Sequence, residues 1–101
     1  MSVLVIAKIA GDTAKFRQSL TDRAGEYDKI SADSRAKGAI HHRFGLEDGY
    51  VVIVDEWETA DQFAQFFSAP ELQAFVASVG GDTTSPPEIT VSEAVAASSD
   101  F

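Results

Sequence analysis

The chain has 101 residues, of which 45% are hydrophobic, and a formal net charge of −8. That length makes one domain, and the apolar fraction is too high for a disordered chain. The charge opposes phosphate backbones and excludes nucleic-acid partners, and no apolar run approaches the roughly 20 residues of a membrane helix. The chain has no cysteine, so neither a disulfide framework nor a thiolate metal site is available, and a reducing cytoplasm is the expected compartment. The opening MSVLVIAKIAG lacks a basic leader segment and is better explained as a strand than as a signal peptide.

Val3 to Ile9 is a near-continuous apolar run, the pattern of a strand covered on both faces. Gly11 and Asp12 break it, and Asp12 is a good helix N-cap. From Thr13 the period changes. Phe16, Leu20, Ala24, Tyr27 and Ile30 recur every three or four residues and predict a long amphipathic helix, with a break near Gly25 and Gly38 just past its end. Ala39 to Phe44 is a third extended stretch. Gly45 to Gly49 reads as a polar turn that joins it, as a hairpin, to a strand from Tyr50 to Trp57.

Thr59 and Gln62 then form a T-x-x-Q capping box, and Phe63, Phe66 and Phe67 follow as an aromatic helical stripe. Ser68, Pro70 and Glu71 predict a second capping box and a new helix, whose inner stripe is Leu72, Phe75, Val76 and Val79. Gly80 and Gly81 stop that helix. Ile89, Val91, Glu93 and Val95 alternate with polar residues as a half-exposed last strand. Residues 1–95 are expected to form the domain and 96–101 a loose tail.

The order is β-α-β-β-α-β. It predicts an α+β, ferredoxin-like sandwich, a four-stranded antiparallel sheet with its helices on one face. The first and third strands are apolar on both faces, so the helix-free face needs an apolar partner. A second copy of the same sheet, as a two-fold homodimer, is the simplest one. A ligand pocket within the monomer is the other solution, and the two combine if paired sheets enclose a cavity.

His41 and His42 are the only histidines. Being adjacent on a strand, they point to opposite faces and cannot chelate one metal together, and no metal site is expected. Either is a candidate general base; packing at the sheet edge is the competing role. If the hairpin pairs Leu46 with Gly49, His42 falls opposite Ile53 and shares a face with Ile40, Phe44, Asp55 and Trp57. His41 then shares the other face with Arg43, Val52, Val54 and Glu56. A one-residue slip would exchange the two. On this register His42, Asp55 and Trp57 are a base, an orienting carboxylate and an aromatic wall. That set would deprotonate a phenol or quinol and leave an electron-rich anion for oxygen to attack. Phe63, Phe66, Phe67 and Phe75 are expected in the core. Phe44, Phe63, Phe67 and Tyr27 are the candidate ligand contacts, with core packing the competing role for Tyr27.

The segment W-E-T-A-x-x-F-x-x-F-F, from Trp57 to Phe67, and the S-x-P-E-L that follows resemble the dimeric α/β-barrel superfamily, most closely its antibiotic biosynthesis monooxygenase (ABM) branch. The resemblance implies a small homodimer with a cavity between sheet and helices, and an oxygenase that needs no metal or organic cofactor and acts on an aromatic or quinol-type molecule. A non-catalytic binder of an apolar metabolite, or an isomerase or decarboxylase using the same histidine, is the alternative on that scaffold. A haem-degrading branch also carries a tryptophan where Trp57 stands, but it needs an asparagine on the first strand and a histidine on the later helix. This chain has no asparagine, and Pro70 to Val79 holds no histidine.

Overall fold

The computed structural model describes residues 1–101. Eight elements follow in order: β1 (Val3–Ala10), α1 (Thr13–Asp22), α2 (Ala24–Ala36), β2 (Ala39–Glu47), β3 (Tyr50–Trp57), α3 (Ala60–Phe67), α4 (Pro70–Ser78) and β4 (Glu88–Glu93). The strands form one antiparallel sheet in the order β2-β3-β1-β4. This is the ferredoxin-like α+β sandwich that the pattern predicts, with each half's helix broken in two. No helix is long and apolar enough to cross a membrane.

Local chemistry sets most boundaries. Asp12 caps α1 by accepting the Lys15 N–H at 3.0 Å. The first helical stretch breaks at Arg23, whose backbone leaves the helical region, two residues before the expected Gly25. Gly38 takes φ +117°, and a Cβ there would run into the Gln62 side chain, so glycine lets the end of α2 close onto the start of α3. Thr59 caps α3 by accepting the Gln62 N–H at 3.1 Å. The second capping box does not form. Ser68 closes α3 instead, and α4 starts from Ala69 with Pro70 in its first turn and no side-chain cap.

The hairpin also differs from expectation. Strand β2 continues through Gly45 and Leu46 to Glu47, and the turn is only Asp48-Gly49, with Gly49 at φ +78°. Asp-Gly is a favoured two-residue hairpin turn. His42 therefore pairs with Asp55 rather than Ile53, and Phe44 pairs with Ile53. The slip is two residues, an even number, so the faces stay as expected. One residue does move. The register shifts between Ala39 and His41, and this bulge leaves Ile40 exposed while Ala39 joins the cavity face.

The core lies between the helices and one face of the sheet, in two clusters. Val5, Trp57 and Phe63 form one, with Phe66 and Phe67 against them. Phe16, Val51 and Val79 form the other, with Tyr27, Phe44 and Phe75 against them. Leu20, expected in the inner stripe of the first helix, is exposed; Ser19 is buried in its place. Only 11 of 101 residues are buried, which is meagre for a domain that already has both its layers.

Candidate functional site

The two aromatic clusters do not meet. Between them lies a cavity of about 250 Å³, walled by β2 and β3 on the sheet side and by α2, α3 and α4 on the other. Its sheet wall includes His42, Phe44, Asp55 and Trp57, and its helix wall includes Tyr27, Phe63 and Phe67. Strand alternation delivers the first four to one face, and helical spacing delivers the aromatics. Edge-to-face contacts hold the rings: Phe16 and Phe44 at 5.0 Å, Tyr27 and Phe75 at 5.0 Å, and Trp57 and Phe63 at 5.8 Å between centroids.

Asp55 is the polar centre of this wall. Its side chain is 8% exposed. One carboxylate oxygen accepts from His42 Nδ1 at 2.6 Å, and the other accepts the Trp57 Nε1–H at 3.0 Å. A buried carboxylate demands such donors. Because a carboxylate can only accept, Nδ1 carries the proton, and Nε2 is the lone-pair nitrogen of the neutral ring. Nε2 has no hydrogen-bond partner in the protein, and the His42 side chain is 39% exposed. The ring stands edge-on to Phe44, with centroids 4.5 Å apart. This is a base held in one tautomer by a carboxylate, itself fixed by an indole.

His41 is placed otherwise. Its side chain lies on the helix-free face and is 77% exposed, with Nε2 3.9 Å from Glu56 Oε1. It does not line the cavity, so the structure brings together His42, Asp55 and Trp57 and leaves the fourth catalytic candidate outside.

Tyr27 lines the cavity with its ring, but its hydroxyl is engaged. Ser19 donates its one hydroxyl proton to the Phe16 carbonyl at 2.6 Å. The 2.7 Å contact between Ser19 Oγ and Tyr27 Oη is therefore donated by the tyrosine. Burial pushes the Tyr27 phenol up from its ordinary value. The ring stays neutral and serves as wall.

Sequence reasoning found Tyr27 but missed the polar positions of α2. Asp28, Ser31 and Ser34 also line the cavity. The signal was present: Tyr27, Ile30, Ser31 and Ser34 stand at i, i+3, i+4 and i+7, one helix face. The stripe continues past Ile30 with small polar residues, so it does not register as apolar. No part of the chain gathers three or more metal-ligating side chains.

No protein-family model and no curated protein matches the chain. Solved structures do. The monooxygenase from the gene ActVA-Orf6 of Streptomyces coelicolor, solved in complex with nanaomycin D, aligns with a TM-score of 0.65 at 17% identity, over 95% of this chain and 89% of that one. Rv0793 from Mycobacterium tuberculosis aligns with a TM-score of 0.60 at 19% identity, over 98% and 100%. SnoaB, a cofactor-independent oxygenase from Streptomyces nogalater, aligns with a TM-score of 0.56 at 14% identity, over 98% of each chain. The likeness spans nearly the whole of each chain and shows a common fold, that of the antibiotic biosynthesis monooxygenases among these structures.

Proposed function

We propose that the chain is an oxygenase-like enzyme that works without a metal or bound organic cofactor on an aromatic, quinol-type small molecule. One observation carries the reading: an imidazole oriented at 2.6 Å by a buried carboxylate, in the wall of a mostly apolar cavity. An apolar metabolite binder has no need of an oriented base. Such a base removes a phenolic proton, and Asp55 stabilises the imidazolium that forms. The phenolate carbon then bonds to dioxygen, and the peroxide formed takes the proton from His42. His42 next removes the proton from that ring carbon, the O–O bond breaks and hydroxide leaves. A ring carbonyl and water result, so dioxygen is the oxidant and every proton is accounted for.

The helix-free face supports a homodimer. Leu4, Ile6 and Val54 stand together there at 44%, 45% and 47% exposure. Around them lie His41, Glu56 and Arg43 near one end, and the Lys8–Glu47 ion pair at 3.1 Å near the other. An apolar centre within a charged rim is interface anatomy, and a second copy offers the same surface. Neither the absence of cysteine nor that of a membrane-spanning helix opposes a reducing cytoplasm.

The test is oxygen consumption by the purified protein with a panel of quinols, followed by mass spectrometry after isotopically labelled dioxygen. Label in the product, and undiminished turnover after chelation, are expected. Tight quinol binding with no oxygen uptake above the protein-free rate would instead leave a binding protein.

A further inference from the structure

A cation stands at each end of α2, and each lies over an aromatic ring of a neighbouring helix. At the start, the Arg23 guanidinium sits 4.6 Å from the centre of the Phe75 ring of α4 and donates to Ser78 Oγ at 2.6 Å. At the end, Lys37 Nζ is 5.8 Å from the centre of the Phe66 ring of α3. Both rings line the cavity. Phe75 packs edge-on against Tyr27, and Phe66 packs against Trp57. Each cation is also held by a carboxylate of α2 itself. Arg23 Nε donates to Glu26 at 2.9 Å, and Lys37 Nζ donates to Asp33 at 2.8 Å. The cations are thus aimed from α2, and they keep a partner when the rings are withdrawn.

The rest of α2 is weakly anchored. No residue within it is buried, whereas α1 buries Phe16 and Ser19, α3 buries Phe63, and α4 runs into buried Val79. Apart from those of Arg23, its one side-chain hydrogen bond to another element joins Tyr27 to Ser19. Its two joints leave helical geometry, Arg23 at φ −125° and Gly38 at φ +117°. Both joints are fixed by backbone hydrogen bonds. The Arg23 N–H donates to the Ser19 carbonyl at 2.8 Å, and the Glu58 N–H donates to the Gly38 carbonyl at 2.9 Å. Fixed ends and little burial between them are the conditions for local opening.

We propose that α2 is a lid over the cavity, turning on Arg23 and Gly38, and that the contacts of Arg23 with Phe75 and of Lys37 with Phe66 latch it shut. Closed, α2 completes the cavity wall with Tyr27, Ile30 and Ser34. Opened, it exposes the cavity to solvent and lets a small molecule pass.

The experiment follows hydrogen exchange by mass spectrometry in the full chain carrying Arg23→Gln and Lys37→Gln. Loss of two cation–π contacts should enlarge the open population about tenfold. The α2 amides should then exchange about tenfold faster, with those of α1 and α3 changed by less than about twofold. The absence of cysteine allows a second readout. Val51→Cys puts a single thiol in the buried cavity wall, and its reaction with a maleimide should quicken by the same factor when both cations are removed. Lys29→Gln with Arg35→Gln is the matched control, because it removes two cations of the same helix that lie over no ring. It should leave both rates within about twofold. No acceleration, equal acceleration by the two pairs, or acceleration spread evenly over every element would overturn the lid. So would faster exchange in α2 with an unchanged thiol reaction. These measurements need neither ligand nor turnover, so their outcome is separate from that of the proposed oxygenase activity.

Discussion

The two faces of the sheet are made from the same strands and do different work. On the covered face of β3, Val51, Asp55 and Trp57 are buried; on the bare face, Val54 and Glu56 are their sequence neighbours. Adjacent His41 and His42 divide the same way. His42 is fixed on a buried carboxylate at 2.6 Å, whereas His41 stands 77% exposed beside a glutamate at 3.9 Å. The same residue type, one position apart, is oriented in one case and loosely held in the other. The period of a strand alone decides which histidine meets the cavity. Burial then decides its chemistry, because only on the covered face does an unmet hydrogen bond cost much.

The sharpest way to break this contrast is to remove Asp55. Asp55→Ala orphans two N–H groups beside the cavity. It should lower turnover at least about a hundredfold by freeing the His42 tautomer and cost about 1–3 kcal/mol of stability, measured by steady-state kinetics and urea melts. Glu56→Gln, one residue along on the bare face, should stay within about 0.5 kcal/mol.

The converse experiment charges the bare face. Val54→Lys places an ammonium where the partner sheet is expected, and an unpaired buried charge is not tolerated. Sedimentation should show a dimer becoming a monomer. The fold itself should persist by circular dichroism, since Val54 is 47% exposed within the single chain. A dimer of unchanged affinity would remove the bare face from the assembly.

Trp57→Phe sharpens the covered side. It removes the indole donor to Asp55 and some packing against Phe63 and Phe66. The expected cost is about 1–2 kcal/mol, with a smaller loss of turnover than for Asp55→Ala because His42 keeps its carboxylate. Equal losses for the two variants would mean that the indole, not the imidazole, is what the carboxylate serves.

How much of this was legible in the sequence follows from which physics is local. The caps at Asp12 and Thr59, the aromatic stripe of α3 and the order of strands and helices are set by near neighbours, and the sequence shows them. The hairpin register differs by two residues from the expected one, because Gly45 suggests an earlier turn than Asp48-Gly49, the stronger two-residue signal. Only the evenness of that slip kept His42, Asp55 and Trp57 on one face. The bulge at Ile40 has no local signature. The cavity itself is a tertiary fact. It exists where two aromatic clusters stop short of each other and where Ser31 and Ser34 face inward, and neither is a pattern that apolar periodicity detects. Nor does spacing reveal that the Ser19 hydroxyl accepts the Tyr27 hydrogen bond.

The smallest effect lies with that pair. Burial raises the Tyr27 phenol, so the fold favours its neutral form over that of the unfolded chain, whose phenol titrates near about 10. Its contribution is therefore whole below about pH 10 and is lost as pH climbs through the raised value. Tyr27→Phe should cost about 1 kcal/mol near neutrality and flatten the alkaline fall in stability, in urea melts taken across that range. An alkaline limb identical to that of the parent chain would place the shift elsewhere.

The most direct test of the whole account compares His41→Ala with His42→Ala side by side, in oxygen uptake on the same saturating quinol. The expected result is a loss of about 10²–10⁴-fold for His42→Ala, the usual worth of a positioned base, partly restored by added imidazole, and a change within about twofold for His41→Ala. Equal rates in the two variants, or a loss confined to His41→Ala, would contradict the assignment of chemistry to the covered face.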